Sequence, residues 1–169
     1  MAYLLDSSTL IQAKNEYYGF DFCPGFWDWL DRENAAENVF SIDRIGDELE
    51  ESNDELATWA SERAEAFFLP VDDATHRAMR RVSTWVQNAD YRDHAKREFL
   101  RGADPFLIAY ALAHGHTVAT HEVHVEGEKK KVKIPSVCRA LKVPCVRTFE
   151  MLRREGARFV IARRSRAEQ

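Results

Sequence analysis

Apolar residues fall in short bursts along this chain, and each burst runs out into polar or acidic residues. Tyr3-Leu4-Leu5 stops at Asp6, which predicts a buried strand whose last carboxylate tips out at the sheet edge. Thr117-Val118-Ala119-Thr120 is β-branched and runs into His121-Glu122, a second strand with an acidic exit. Val39-Phe40-Ser41-Ile42 reads as a short strand or extended stretch, and Phe67-Phe68-Leu69-Pro70-Val71 as a strand or connector. Val143-Pro144-Cys145-Val146 reads as a further strand.

Helical spacing alternates with these bursts. Pro24-Gly25-Phe26-Trp27-Asp28-Trp29-Leu30 starts a helix with an aromatic face, a third helix carries Glu48, and residues 53–66 and 73 to about 88 give two more. Gly102-Ala103-Asp104-Pro105 puts an acid at an N-cap and proline at the first helical position, ahead of the apolar face Phe106, Leu107, Ala109, Tyr110 and Ala113. His114-Gly115 ends that helix. Residues 136–142 and 149–155 are the last predicted helices, followed by Arg158-Phe159-Val160-Ile161, and residues 123–134 form a small hairpin or an exposed loop. Such alternation predicts an α/β fold with a mainly parallel sheet, whose right-handed crossovers bring the strand exits together.

A chain of 169 residues suffices for one domain, placed at residues 1–162 with a frayed basic tail at 163–169. Hydrophobic content of 45% and charged content of 31% fit a soluble globular protein, and the longest apolar run, at residues 106–113, is too short to span a bilayer. The start lacks a basic segment and meets Asp6 at once, so the expected compartment is the cytoplasm. Cys23, Cys138 and Cys145 are odd in number and form no CxxC pair, which argues for reduced packing residues. The net charge of -4 conceals an asymmetry: residues 31–65 hold twelve acids and three bases, residues 128–169 thirteen bases and four acids.

Four acids stand where strands hand over to loops or on neighbouring helices: Asp6, Glu48, Asp104 and Glu122. Ligands of α/β sheets bind outside the carboxyl ends of the strands, and convergent carboxylates there call for a cation. Hard divalent ions prefer oxygen ligands, and Mg²⁺ keeps several waters while a few carboxylates hold it. Asp47 competes with Glu48 for an inward-facing position. His114-Gly115-His116 and His121-Glu122-Val123-His124 offer a rival transition-metal reading, although no HExxH helix is present. Lys129, Lys130, Lys131 and Lys133 follow Glu122 and would attract a polyanion. The four tryptophans sit in helical contexts that favour packing over base stacking.

Leu4-Leu5-Asp6-Ser7-Ser8-Thr9-Leu10-Ile11, Asp47-Glu48-Leu49, Ala103-Asp104-Pro105-Phe106-Leu107-Ile108-Ala109 and Val118-Ala119-Thr120-His121-Glu122 resemble a PIN domain, a family that includes the ribonuclease toxins of VapBC-type toxin–antitoxin pairs. The ending Thr-His-Glu with its following lysine-rich stretch is similar to a PIN-like subgroup, where the commoner ending is Thr-x-Asp. The resemblance implies a three-layer α/β/α fold with an enlarged helical middle. It implies a Mg²⁺- or Mn²⁺-dependent endoribonuclease acting on RNA, with Asp6, Glu48, Asp104 and Glu122 as metal ligands and catalytic residues. Glu48 matches the family pattern better than Asp47. Ser8 and Thr120 would orient a carboxylate or water, and His121 with the four lysines would touch substrate. An antitoxin and a second copy of the chain are the implied protein partners. Two other classes stay open: a catalytically weak PIN-like module that binds RNA or protein, and a phosphatase using Asp6 as nucleophile, for which the Asp-x-Asp arrangement is missing.

Overall fold

Five short parallel strands carry the molecule. The computed structural model describes residues 1–161, so the tail expected at 163–169 lies outside the described residues. The strands are β1 (Tyr3–Leu5), β2 (Val39–Ile42), β3 (Phe68–Leu69), β4 (Thr117–Thr120) and β5 (Cys145–Arg147), in the order β3-β2-β1-β4-β5. Tyr3 pairs with Val39 on one side of β1 and with Thr117 on the other, so the first strand is the centre of the sheet. Leu4, Leu5, Val39, Ile42, Val118 and Ala119 are fully buried, as expected where helices cover both faces of a parallel sheet. The result is a three-layer α/β/α architecture of the PIN type.

The helices are α1 (Ser7–Gln12), which continues as a π-helical turn (Ala13–Tyr17), α2 (Pro24–Ala35), α3 (Asp43–Glu50), α4 (Glu55–Phe67), α5 (Asp73–Asn88), α6 (Asp93–Arg101), α7 (Asp104–His114), α8 (Ile134–Leu141) and α9 (Thr148–Arg154). The helices α3 to α6 form the enlarged middle between β2 and α7. Short acids start two of them: Asp54 caps α4 through the Ala57 N–H, and Asp72 caps α5 through the Thr75 N–H. Gly115, at φ 72°, closes α7 in the left-handed conformation that favours glycine. Phe26, Trp27, Trp29 and Trp59 are all buried in a packed aromatic group, with Trp27 stacked on Phe20. Trp85 is half-buried, edge-on to Tyr91.

Three segments extend the sequence reading or decide between its alternatives. The helix α6 was not foreseen. Its Ala95 and Phe99 are buried one turn apart, but the remaining positions are too polar to raise a strong helical pattern. Residues 123–133 form no hairpin and run as a loop, because Gly127 and the charged residues around it give no alternating apolar face. Residues 158–161 carry no regular structure.

The helix α3 lies close on β3 because Gly46 has no side chain: a Cβ there would sit 3.0 Å from Phe68 Cγ. Gly46→Val should therefore lower the unfolding free energy by about 2 kcal/mol through overpacking. Gly46→Ala should be close to neutral, since a helix-propensity gain of about 1 kcal/mol offsets the tighter contact. Urea midpoints at unchanged m-value would show this order; equal midpoints for both variants and wild type would refute the close packing.

Candidate metal centre

The carboxyl ends of β1 and β4 lie side by side, and Asp6 follows the first of them. Its carboxylate is almost wholly buried, at 1% exposure. It accepts hydrogen bonds from Ser8 Oγ at 2.5 Å, the Thr9 N–H at 2.9 Å and Thr120 Oγ1 at 2.7 Å. Thr9 is part of the first turn of α1, so Asp6 is that helix's N-cap as well. A buried carboxylate without such donors would be costly. Thr120 Oγ1 accepts in turn from the Glu122 N–H at 3.0 Å.

Asp104 does not perform the capping role expected of it. Ala103 occupies the N-cap position of α7, and Asp104 is the first helical residue with no side-chain cap bond. Glu48 Oε1 accepts from the N–H of that N-cap residue, Ala103, at 3.0 Å and ties α3 to the start of α7. Asp104 is left facing the other acids. Burial first, then the charges of Asp6, Glu122 and Glu48, push its pKa up to about 7, with Lys131 acting weakly the other way. Glu48 and Asp104 also line one cleft of about 210 Å³ with Ser7, Glu98 and Lys131. Asp47 is exposed and has no part in that cleft.

Glu122 is held by the Ile134 N–H at 2.8 Å and faces two lysines, Lys131 at 3.2 Å and Lys133 at 3.6 Å. Burial works against the charge of Lys131, but Glu122 and Asp104 outweigh it and raise its pKa. Lys129 is turned away, paired with Asp90 at 2.5 Å, and Lys130 is exposed. His121 is stacked on Tyr17 with centroids 5.4 Å apart and meets Phe149 edge-on at 5.3 Å. Burial, with help from Arg147, lowers its pKa against the pull of Asp6 and Glu16, so the ring is neutral near pH 7.

The other histidines are dispersed. His114 meets Asp72, His116 accepts from the Ala2 N–H, and His124 lies between Ser136 and Glu126. Among the described residues no three histidines, cysteines or acids are drawn closely enough to enclose a metal ion by themselves. His114, His116, His121 and His124 are thus not gathered into the four-ligand set of a structural zinc site. Such spacing is compatible with Mg²⁺, which keeps much of its water and touches few carboxylates directly. A like-charged donor set made only of oxygen, with one member pushed towards neutrality, has the chemistry that a hard divalent cation relieves.

Glu98 and Ser7 escaped notice in the sequence. The first belongs to the unforeseen α6, whose signal was the buried pair Ala95 and Phe99 ahead of Gly102. Ser7 lies beside the more conspicuous Asp6 and Ser8.

A family model described as a domain of unknown function (DUF4411) matches residues 3–159. None of the curated proteins matches the chain. A solved structure, that of VapBC2 from Rickettsia felis bound to a DNA fragment from their promoter, contains a chain of the same fold. The match has TM-score 0.54 and 12% identity, and covers 87% of this chain and 98% of that one.

The raised pKa of Asp104 fixes a pH dependence for the metal-free protein. The folded state holds this proton more tightly than the unfolded chain, so the stability it confers is present below about pH 4 and is lost as pH rises through about 7. Asp104→Asn should remove that loss and raise Tm at pH 8 by several degrees, on the order of 5 °C, with little change at pH 4. Thermal melts in EDTA across this range check it; an Asn variant no more stable than wild type at pH 8 would contradict the repulsion.

Proposed function

We propose that this chain, which belongs to the DUF4411 family, is a metal-dependent endoribonuclease of the PIN type acting within a single domain at residues 1–162. The observation that carries this reading is the repulsion gathered at Asp104 by three acids from three other segments at the carboxyl edge of the sheet. Asp6, Glu48, Asp104 and Glu122 would hold Mg²⁺ or Mn²⁺. When bound, such an ion lowers the pKa of a water and polarises the phosphoryl oxygen.

The chain's own residues divide the remaining work. Ser8, Thr9 and Thr120 occupy lone pairs of Asp6 and so fix the direction in which the rest point. Asp104, held near neutrality at pH 7 in the metal-free protein, would release its proton on becoming a ligand of the ion. Lys131 and Lys133 are on the rim, where their charges would meet phosphate as readily as Glu122. Lys129, Lys130 and His121 are further substrate contacts in this reading.

The Thr-His-Glu ending suits a PIN-like subgroup, and the shared fold with a chain of a VapBC structure supports a toxin paired with an antitoxin. The acidic segment at residues 31–65 would suit a basic antitoxin or the second copy of a homodimer.

Labelled structured and single-stranded RNAs incubated with Mg²⁺, Mn²⁺ or EDTA test the activity. Cleavage should require the metal and should fall by more than about a hundredfold in Asp6→Asn/Asp104→Asn, beyond what loss of an outer partner costs. Thermal melts establish that the variant is folded, since Asp6 is also a helix cap. Cleavage that survives in EDTA or in the folded variant would dismiss the carboxylate site. A broad panel left uncut would favour the binding module.

A further inference from the structure

Next to Glu122, a second cleft of about 300 Å³ opens between the loop after β4, α8, β5 and the start of α9. Its floor is apolar: Val143 and Val146 are 5% and 8% exposed, with Pro135 beside them. Val123, 52% exposed, stands at its edge. Two guanidinium groups, Arg139 and Arg147, border the mouth.

The charges around it favour an anionic chain with an apolar branch. Glu122 is offset by Lys131 and Lys133, and Glu150 is held by Arg154 at 2.5 Å. His124 is engaged by Ser136 and Glu126. Arg147 forms no ion pair among the described residues, and Arg139 reaches Glu126 only at 3.9 Å. Guanidinium groups donate to phosphate oxygens and also stack on bases. A phosphate or metal ion has no partner on the apolar floor, whereas a flat heterocycle does. The volume is at the small end of ligand pockets and holds one base, not a stacked pair.

We infer that this cleft is a subsite for a single unpaired nucleobase of RNA, seated next to the phosphate that the carboxylates serve. The inference rests on the ribonuclease reading and narrows its substrate to single-stranded or looped RNA, because a paired base must first be unpaired and unstacked to enter. Glu122 lines this cleft and acts by its charge on Asp104, so it links the seated base to the other carboxylates. The two arginines hold the backbone on either side.

Single-stranded RNA octamers carrying one abasic position, walked along the sequence, provide the probe. Affinity is read by fluorescence anisotropy with Ca²⁺ in place of Mg²⁺, and cleavage is mapped separately with Mn²⁺. One abasic position should weaken binding to the wild type by about tenfold, the scale of a single base contact. Arg147→Ala, and Cys145→Met, which fills the cleft from β5, should reduce that positional penalty to less than about twofold. Melting curves show that both variants are folded, and Arg147→Lys should restore overall affinity without restoring the full penalty. An affinity indifferent to every abasic position, or a penalty unchanged in both variants, overturns the inference and leaves the cleft to an apolar protein segment. A positional penalty without cleavage upholds the subsite while the ribonuclease reading falls; cleavage without a positional penalty does the reverse.

Discussion

The hydrogen bond from Thr120 to Asp6 joins the exits of the two central strands, and much of the site depends on it. A carboxylate so deeply buried survives only because three donors converge on it. One donor starts α1, one belongs to the next strand, and one is a neighbouring serine. The strands are thereby held together where their backbone ladder ends, and Glu122 is placed from the same node through its N–H on Thr120. Two of the four carboxylates therefore take their positions from a single polar cluster that costs the fold little, because all of its members are satisfied.

The other two acids are arranged in complementary fashion. Glu48 satisfies the N–H of the N-cap residue of α7, a bond that a capping box would make from the helix's own third position. Asp104 is freed from capping and is left in a field of like charge. Its position at a helix start does favour an anion, through the orientation of the backbone dipoles. Burial and three neighbouring acids outweigh that preference. Strain of this kind persists because the surrounding packing over-determines the backbone: α7 buries Leu107, Ile108, Ala109 and Ala111 against the sheet, so the acid cannot retreat without unmaking the core.

What could be read from the sequence follows this logic. Short apolar runs with acidic exits announced β1 and β4, because a buried parallel strand must be apolar along its length and must change character where it leaves the sheet. Asp73–Asn88 was legible over its whole length, having both a cap and a long period. The division of labour between Glu48 and Asp104 was not legible, since a capping acid and a free one at the start of a helix look identical in one dimension. Nor was α6, whose two buried residues leave too thin a stripe, and with it went Glu98. The aromatic setting of His121 was equally hidden: Tyr17 and Phe149 come from distant segments and meet only once the chain is folded.

Strand order turns the charge asymmetry of the sequence into a spatial gradient. The acid-rich residues 31–65 build β2, α3 and α4, towards the β3 edge, while the base-rich residues from 128 onward supply the lysine loop, α8, β5 and α9 at the opposite edge. The carboxylates at the β1 and β4 exits lie between the two. A polyanion approaching this face is repelled from one edge and attracted to the other, so its backbone is steered along the β4–β5 side. Acids spread evenly would cancel this gradient; gathered towards the β3 edge, they give the face a direction. The excess of acids at residues 31–65 and the excess of bases from residue 128 onward cancel each other, which is why the net charge of -4 pointed to neither.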